Sequence, residues 1–438
     1  MRTGAGSPAT REPADALPGD LRMARTLWPV LLASAVGLLP FTVFSTYLVP
    51  ISEAADTGVA AMGGLRGLGG LAALLVGTAL APFLDRVRKQ WAAAGGLLAL
   101  AVSSALGVSG DFVLVAAFCL LVGAGTAVLN PALTAEAADR FGDGKAAGRA
   151  ATLVTATQSM TAMLAAPVVA LPAVYWGWQG DLLAVSALSL LLAALFFVRG
   201  GRGVRGDRHD RPVRDAGEAP RAETGGAQRL GYIASFKALA AVPGAVPLLL
   251  IALLRTAVFM GYLSYLAAFY DSRFALDPGL FAFVWTLSGA SFFVSNLLTG
   301  RLTNAATARV RTERLLVLGL LAALVSVVGF YLAHWLPLAL ALTALHAASH
   351  AVVAACAVSL LVRRCGTQRG AALSVNAAGM SVGVFLGAAL GGAGLGLAGY
   401  PGTALAFATL LLAALGAALV VSRTGGGAAA EPAEAGAP

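Results

Sequence analysis

Few side chains in this sequence could do chemistry, and most of them sit inside long apolar runs. His346 and His350 stand four residues apart, one helical turn, a spacing that suits two metal ligands. A metal site needs a third donor, and His334 falls at the membrane surface, so no metal is expected. Two imidazoles that change charge near neutral pH are the functional reading; histidines that merely pack are the competing one. Arg255 heads a stripe at helical spacing with Phe259, Tyr262, Leu266 and Phe269. A charge and aromatic rings on one helix face suit an amphipathic or anionic ligand, whereas an aromatic stripe without the charge would be packing. Arg66, in the run Gly-Gly-Leu-Arg-Gly-Leu-Gly-Gly, has no carboxylate at its own depth. It is expected either to snorkel toward Glu53 and Asp56 or to face a cavity. Asn130 before Pro131, Gln158 and Asn376 are the remaining polar candidates for a cavity wall. Proline removes a helix donor, so Asn130-Pro131 would open backbone carbonyls there.

The elements that must hold these residues are membrane helices. Of 438 residues 58% are hydrophobic and only 12% charged, with a mean hydropathy of +0.81. A soluble chain of this length needs about twice that charge. A bilayer-spanning helix takes about 20 apolar residues, and twelve such runs are readable. They lie near 27–49, 58–84, 91–109, 111–138, 149–172 and 178–198, then 245–270, 279–301, 313–333, 336–362, 370–397 and 400–422. Unsatisfied backbone groups are too costly in hydrocarbon for anything but helices or a closed barrel, and the alternating ten-residue segments of a barrel are missing. The expected fold is all-α and integral to the membrane, with twelve helices in two pseudo-symmetric six-helix bundles.

Charge placement sets the orientation. With the N-terminus inside, 27 of the 30 Lys and Arg residues fall on inner segments, leaving Arg273 outside and Arg66 and Arg255 within helices. The positive-inside rule then puts both termini in the cytoplasm. The basic excess is thus topology, and no nucleic-acid partner is expected. The organisation reads as a disordered tail over 1–24, bundles over 25–199 and 241–423, a cytoplasmic linker over 200–240 lying against lipid headgroups, and a disordered tail over 424–438. The polar N-terminal stretch is too long to be a cleavable signal peptide. A shift of 221 residues lays Ala150, Ala151, Val154 and Ala156 on Ala371, Ala372, Val375 and Ala377, and Arg88 on Arg309. Cys119, Cys356 and Cys365 make no disulfide framework. A phosphate-cradling Gly-Lys-Ser/Thr loop and a nucleophile elbow are both missing, so the chain is not expected to be an enzyme or to need a cofactor.

Local words bring in a resemblance. Ala81-Pro-Phe-Leu-Asp85-Arg86-Val-Arg88-Lys89 resembles the loop after the second helix of the major facilitator superfamily, with Ala81 and Arg88 in place of two glycines. Ala166-Pro167 and Tyr175-Trp176-Gly177-Trp178 are similar to words of its bacterial efflux members. Cys119 stands where many drug–proton antiporters have an arginine, four before Gly123. The run from Arg369 to Asn376 resembles arabinose-efflux-like permeases. The resemblance implies a monomeric, multi-pass transporter of the cytoplasmic membrane. It would export a small amphipathic compound in exchange for protons by rocking two halves, with uptake of a small organic anion as the alternative. It further implies a cytoplasmic gate over Asp85, Arg86 and Lys89, in which Asp85 caps the eleventh helix and Lys89 reaches Glu136 or Asp139. Glu136, His346 and His350 are the candidates for proton coupling.

Overall fold

The computed structural model describes residues 20–84, 87–141, 145–209, 237, 239–304 and 311–426. The helices are α1 (Asp20–Val36), α2 (Leu39–Thr46), α3 (Leu48–Ala54), α4 (Val59–Leu84), α5 (Lys89–Gly107), α6 (Phe112–Asp139) and α7 (Lys145–His209). After the linker come α8 (Ala245–Phe274), α9 (Pro278–Asn304), α10 (Thr312–Leu332), α11 (Leu336–Cys365) and α12 (Arg369–Gly426). Among the described residues, eleven helical stretches are long and apolar enough to cross a membrane, and the last of these runs 55 residues from Arg369 to Arg423. Both over-long helices break at a glycine of positive φ, Gly177 in α7 (φ 68°) and Gly399 in α12 (φ 64°). Glycine adopts that conformation without steric cost, and each break falls between two of the apolar runs legible in the sequence.

The first apolar run departs from the single helix expected over 27–49. It starts earlier, at Asp20, and is cut at Gly37–Leu38 and again at Tyr47 into α1, α2 and α3. Pro40 and Pro50 carry no N–H, so the helical ladder cannot be continuous across them. The sixth run also differs: α7 stays helical to His209, past the point where a linker was expected to begin. The tails and the rest of the linker lie outside the described residues.

Two buried apolar clusters form the cores. One is built from α1 to α7 with Tyr265 and Ala268 of α8, the other from α8 to α12 with a few residues of α7. Between the halves, α4 packs on α12, α7 on α9, and α2, α3 and α4 on α8. The α4–α12 contact runs along a glycine stripe. A β-carbon on Gly67 would stand 3.0 Å from the Phe385 carbonyl oxygen, and one on Gly70 only 2.6 Å from that of Ser381. Further along the same face, Gly77 has open space before it, and so does Gly370 on α12. Both lie toward the side that carries the linker. The α4–α12 contact is therefore close along Gly67 and Gly70 and leaves open space at Gly77 and Gly370.

Candidate functional site

The wall of the second half holds a buried basic cluster at mid-helix. Arg255 in α8 is 5% exposed. Its Nη2 donates to Thr256 Oγ1 at 3.0 Å, and its Nε finds no acceptor. One turn on, Phe259 stacks on His350 of α11 and on Phe292 of α9, with ring centroids 5.1 and 5.4 Å apart. His346 and His350 lie 4.4 Å apart, ring to ring, and the Arg255 guanidinium acts electrostatically on His350.

His346 is held through its Nδ1. Ser326 Oγ gives its proton to the Ala323 carbonyl at 2.9 Å and also meets His346 Nδ1 at 2.9 Å. The direction of the Ser326–His346 bond follows the His346 tautomer, since the hydroxyl has a single proton. His346 Nε2, and both ring nitrogens of His350, have no partner. Unpaired buried polar atoms cost free energy, so this cluster is under-satisfied as it stands. Among the described residues the only buried acids are Glu136 and Asp181, and both are engaged elsewhere. Asp181 accepts from Trp176 Nε1 at 2.8 Å.

Tyr262, expected on the cavity wall with Arg255, instead belongs to the interior of the second bundle. It is fully buried, its Oη meets Thr343 Oγ1 at 2.8 Å, and its ring packs on Phe330, Tyr331 and His346. The helical stripe turns slowly about its axis, so its far residues rotate inward.

In the first half, Arg66 does not reach Glu53 or Asp56. Its Nη1 donates to Ser45 Oγ of α2 at 2.6 Å, and the guanidinium lies 5.6 Å from the centre of the Phe41 ring, beside Cys119 of α6. A hydroxyl and an aromatic face nearby meet the charge locally, so snorkelling is not needed. Asn130 and Gln158 come together, the Gln158 amide donating to Asn130 Oδ1 at 3.2 Å across α6 and α7. Both are half-buried. Asn376 is buried and points its amide at Met380 Sδ, 3.5 Å away.

The linker-side gate residues divide. Asp85 and Arg86 lie outside the described residues. Glu136 does not pair with Lys89. Its Oε1 accepts from Arg140 Nε and Nη2 at 2.8 and 2.7 Å, and its Oε2 from Gln90 Nε2 at 2.7 Å. Arg140 in turn donates to the Thr26 carbonyl at 3.2 Å. Arg140 wins because it sits one turn further along the same helix, directly above the carboxylate. Asp139 is exposed and makes no ion pair with Lys89. Reasoning from sequence missed Arg140, although the Glu-to-Arg spacing of four carries the signal. It also missed Gln90, Ser45 and Phe292, for which no local spacing gives one.

Closure on the far side depends on two aromatic side chains. Tyr265 of α8 donates to the Ala388 carbonyl of α12 at 2.7 Å and reaches the Ala60 carbonyl of α4 at 3.4 Å. Trp285 of α9 donates to the Ala162 carbonyl of α7 at 3.1 Å. Among the described residues, no group of three or more His, Cys, Asp or Glu is placed to hold a metal.

Long apolar helices packed in two clusters, with polar groups buried at mid-helix, are the build of a membrane protein. The Major Facilitator Superfamily profile matches residues 30–336, and the chain belongs to that family. No curated protein sequence matches it. Among solved structures it is similar to a bacterial homolog of the human lysosomal transporter Spinster in an inward-facing, occupied conformation. That match has 15% identity, covers 93% of this chain and 96% of the other, and has a TM-score of 0.67. It is likewise similar to the nucleoside transporter NupG, with 13% identity, 91% and 98% coverage and a TM-score of 0.67. The peptide transporter POT, in complex with sulfate, gives 13% identity, 94% and 96% coverage and a TM-score of 0.71.

Proposed function

We propose that this chain is a secondary transporter that moves a small organic anion by alternating access. The observation that carries the reading is the uncompensated basic cluster. Arg255 stands at mid-helix beside two histidines, its Nε unpaired, and no buried acid among the described residues faces it. A cation at mid-membrane costs about 2.5–3.5 kcal/mol on insertion scales. A carboxylate or similar anion entering from the linker side would offset that cost and satisfy Nε. Arg66, held by Ser45 in the opposite half, adds positive potential without a carboxylate.

In this reading, the two crossings within α12 and the broken α7 complete twelve spans in two six-helix halves. The termini and linker are cytoplasmic, in the cell membrane, and the protein works as a monomer. The state with open space at Gly77 and Gly370 is then inward-open. Asp85, Arg86 and Lys89 serve the cytoplasmic gate when the halves rock the other way, while Glu136 with Arg140 holds the first bundle rigid.

Export in exchange for protons is a second reading, favoured by the bare Nε2 of His346 and the unpartnered ring of His350. Those are open proton sites beside the anion subsite, and a drug–proton type of antiport would use them.

The test is counterflow of radiolabelled benzoate in proteoliposomes. Arg255→Ala is expected to lower the initial rate about tenfold or more, and Arg255→Lys less, because losing a charged hydrogen bond is worth at least that factor. Equal rates in wild type and Arg255→Ala would remove the anion reading.

A further inference from the structure

We infer that the far-side groove between the two halves is a binding site for a small organic ammonium ion with an apolar body. The groove has a volume of about 210 Å³ and lies where α2 and α3 face α8 and the start of α9. Two carboxylates line it from opposite halves, Glu53 and Asp271, and no Lys, Arg or His lines it with them. Arg273, two residues along, turns its Nε to the Ala333 carbonyl at 3.3 Å instead.

A second observation marks the floor of the groove. Thr46 lines it, is 2% exposed, and its hydroxyl has no hydrogen-bond partner. Its backbone carbonyl is also without its helical donor, because the residue four further on is Pro50, which has no N–H. Thr46 is the last residue of α2, so this is the negative end of a short helix segment where the helix is interrupted. Discontinuous membrane helices commonly present such carbonyls to cations. Two carboxylates, a hydroxyl and a carbonyl form an acceptor set that matches the three donors of a primary ammonium. Val49, Ala267, Leu276 and Phe281 supply apolar walls for a hydrocarbon body, which a bare metal ion would leave unused. A ligand there bridges α3 and α8, and so strengthens the far-side closure.

The probe is phenethylamine, titrated calorimetrically into the full-length protein in detergent. Phenylacetate serves as the charge-reversed control and methylammonium as the amine without a body. One saturable site is expected, with phenylacetate silent and methylammonium weaker. Glu53→Gln and Asp271→Asn should each weaken binding about tenfold, Thr46→Val should weaken it less, and Glu313→Gln on the linker side should not change it. Both acids are exposed, so these variants should elute as the wild type does. No saturation by phenethylamine, or unchanged affinity in both carboxamide variants, overturns the site. Equal binding of methylammonium, or displacement by sodium chloride at matched ionic strength, overturns the organic class.

Discussion

At the scale of single residues, the account turns on side chains whose hydrogen-bonding capacity exceeds what the fold satisfies. Arg255 Nε, His346 Nε2 and both nitrogens of His350 lie within one cluster and lack partners. If the histidines carry a coupled proton, a His346→Gln, His350→Gln double variant should lose pH-gradient-driven transport. Its downhill counterflow should remain. Substrate-induced fluorescence change of a pH dye trapped in proteoliposomes reads this directly, and persistence of the signal would assign the histidines to packing. Glu136 gives a contrasting case, a buried acid that the fold satisfies fully. Glu136→Ala strands Arg140 and Gln90, and should lower stability by about 1–3 kcal/mol, seen as a lower midpoint in thermal unfolding. An unchanged midpoint would show the network to be dispensable.

At the scale of elements, the glycine stripe of α4 decides how closely the halves meet. A side chain at Gly70 collides with the Ser381 carbonyl and Val384 of α12, and backbone cannot yield as a flexible side chain does. Gly70→Val is therefore expected to open the far side. A cysteine placed at Ala388, under the Tyr265 hydroxyl, should then react faster with a maleimide than it does in the Gly70 background. The native cysteines are buried and should contribute little; an unchanged rate would mean that the stripe does not set the closure. The helices themselves were legible in the sequence, because an apolar run of membrane length in hydrocarbon has almost no alternative to helix. The breaks were less so. Gly177 and Gly399 separate runs that composition alone divides, but the cuts at Gly37–Leu38 and Tyr47 interrupt one unbroken apolar run and leave no trace in hydropathy. Side-chain partners followed the same rule. The Glu136–Arg140 pair is local and its spacing can be read. The meetings of Arg66 with Ser45, Glu136 with Gln90 and Phe259 with His350 join different helices, and depend on packing that no spacing encodes.

At the scale of the whole molecule, two apolar cores meet through a few helix pairs, and buried charge is distributed unevenly between them. The buried cluster at mid-helix in the second half is basic, whereas the far-side groove is lined by two acids. In the proposed reading an anion entering from the linker side is drawn to Arg255, while the far groove with Glu53 and Asp271 repels it. Superfamily membership makes transport the function; the charge of the cargo is what the mid-depth cluster speaks to. The most direct measurement is counterflow of three ring-matched probes through the wild-type protein in proteoliposomes: benzoate, benzamide and benzylamine. The account predicts rapid exchange of benzoate and background rates for the other two. Exchange of benzylamine with none of benzoate would contradict it.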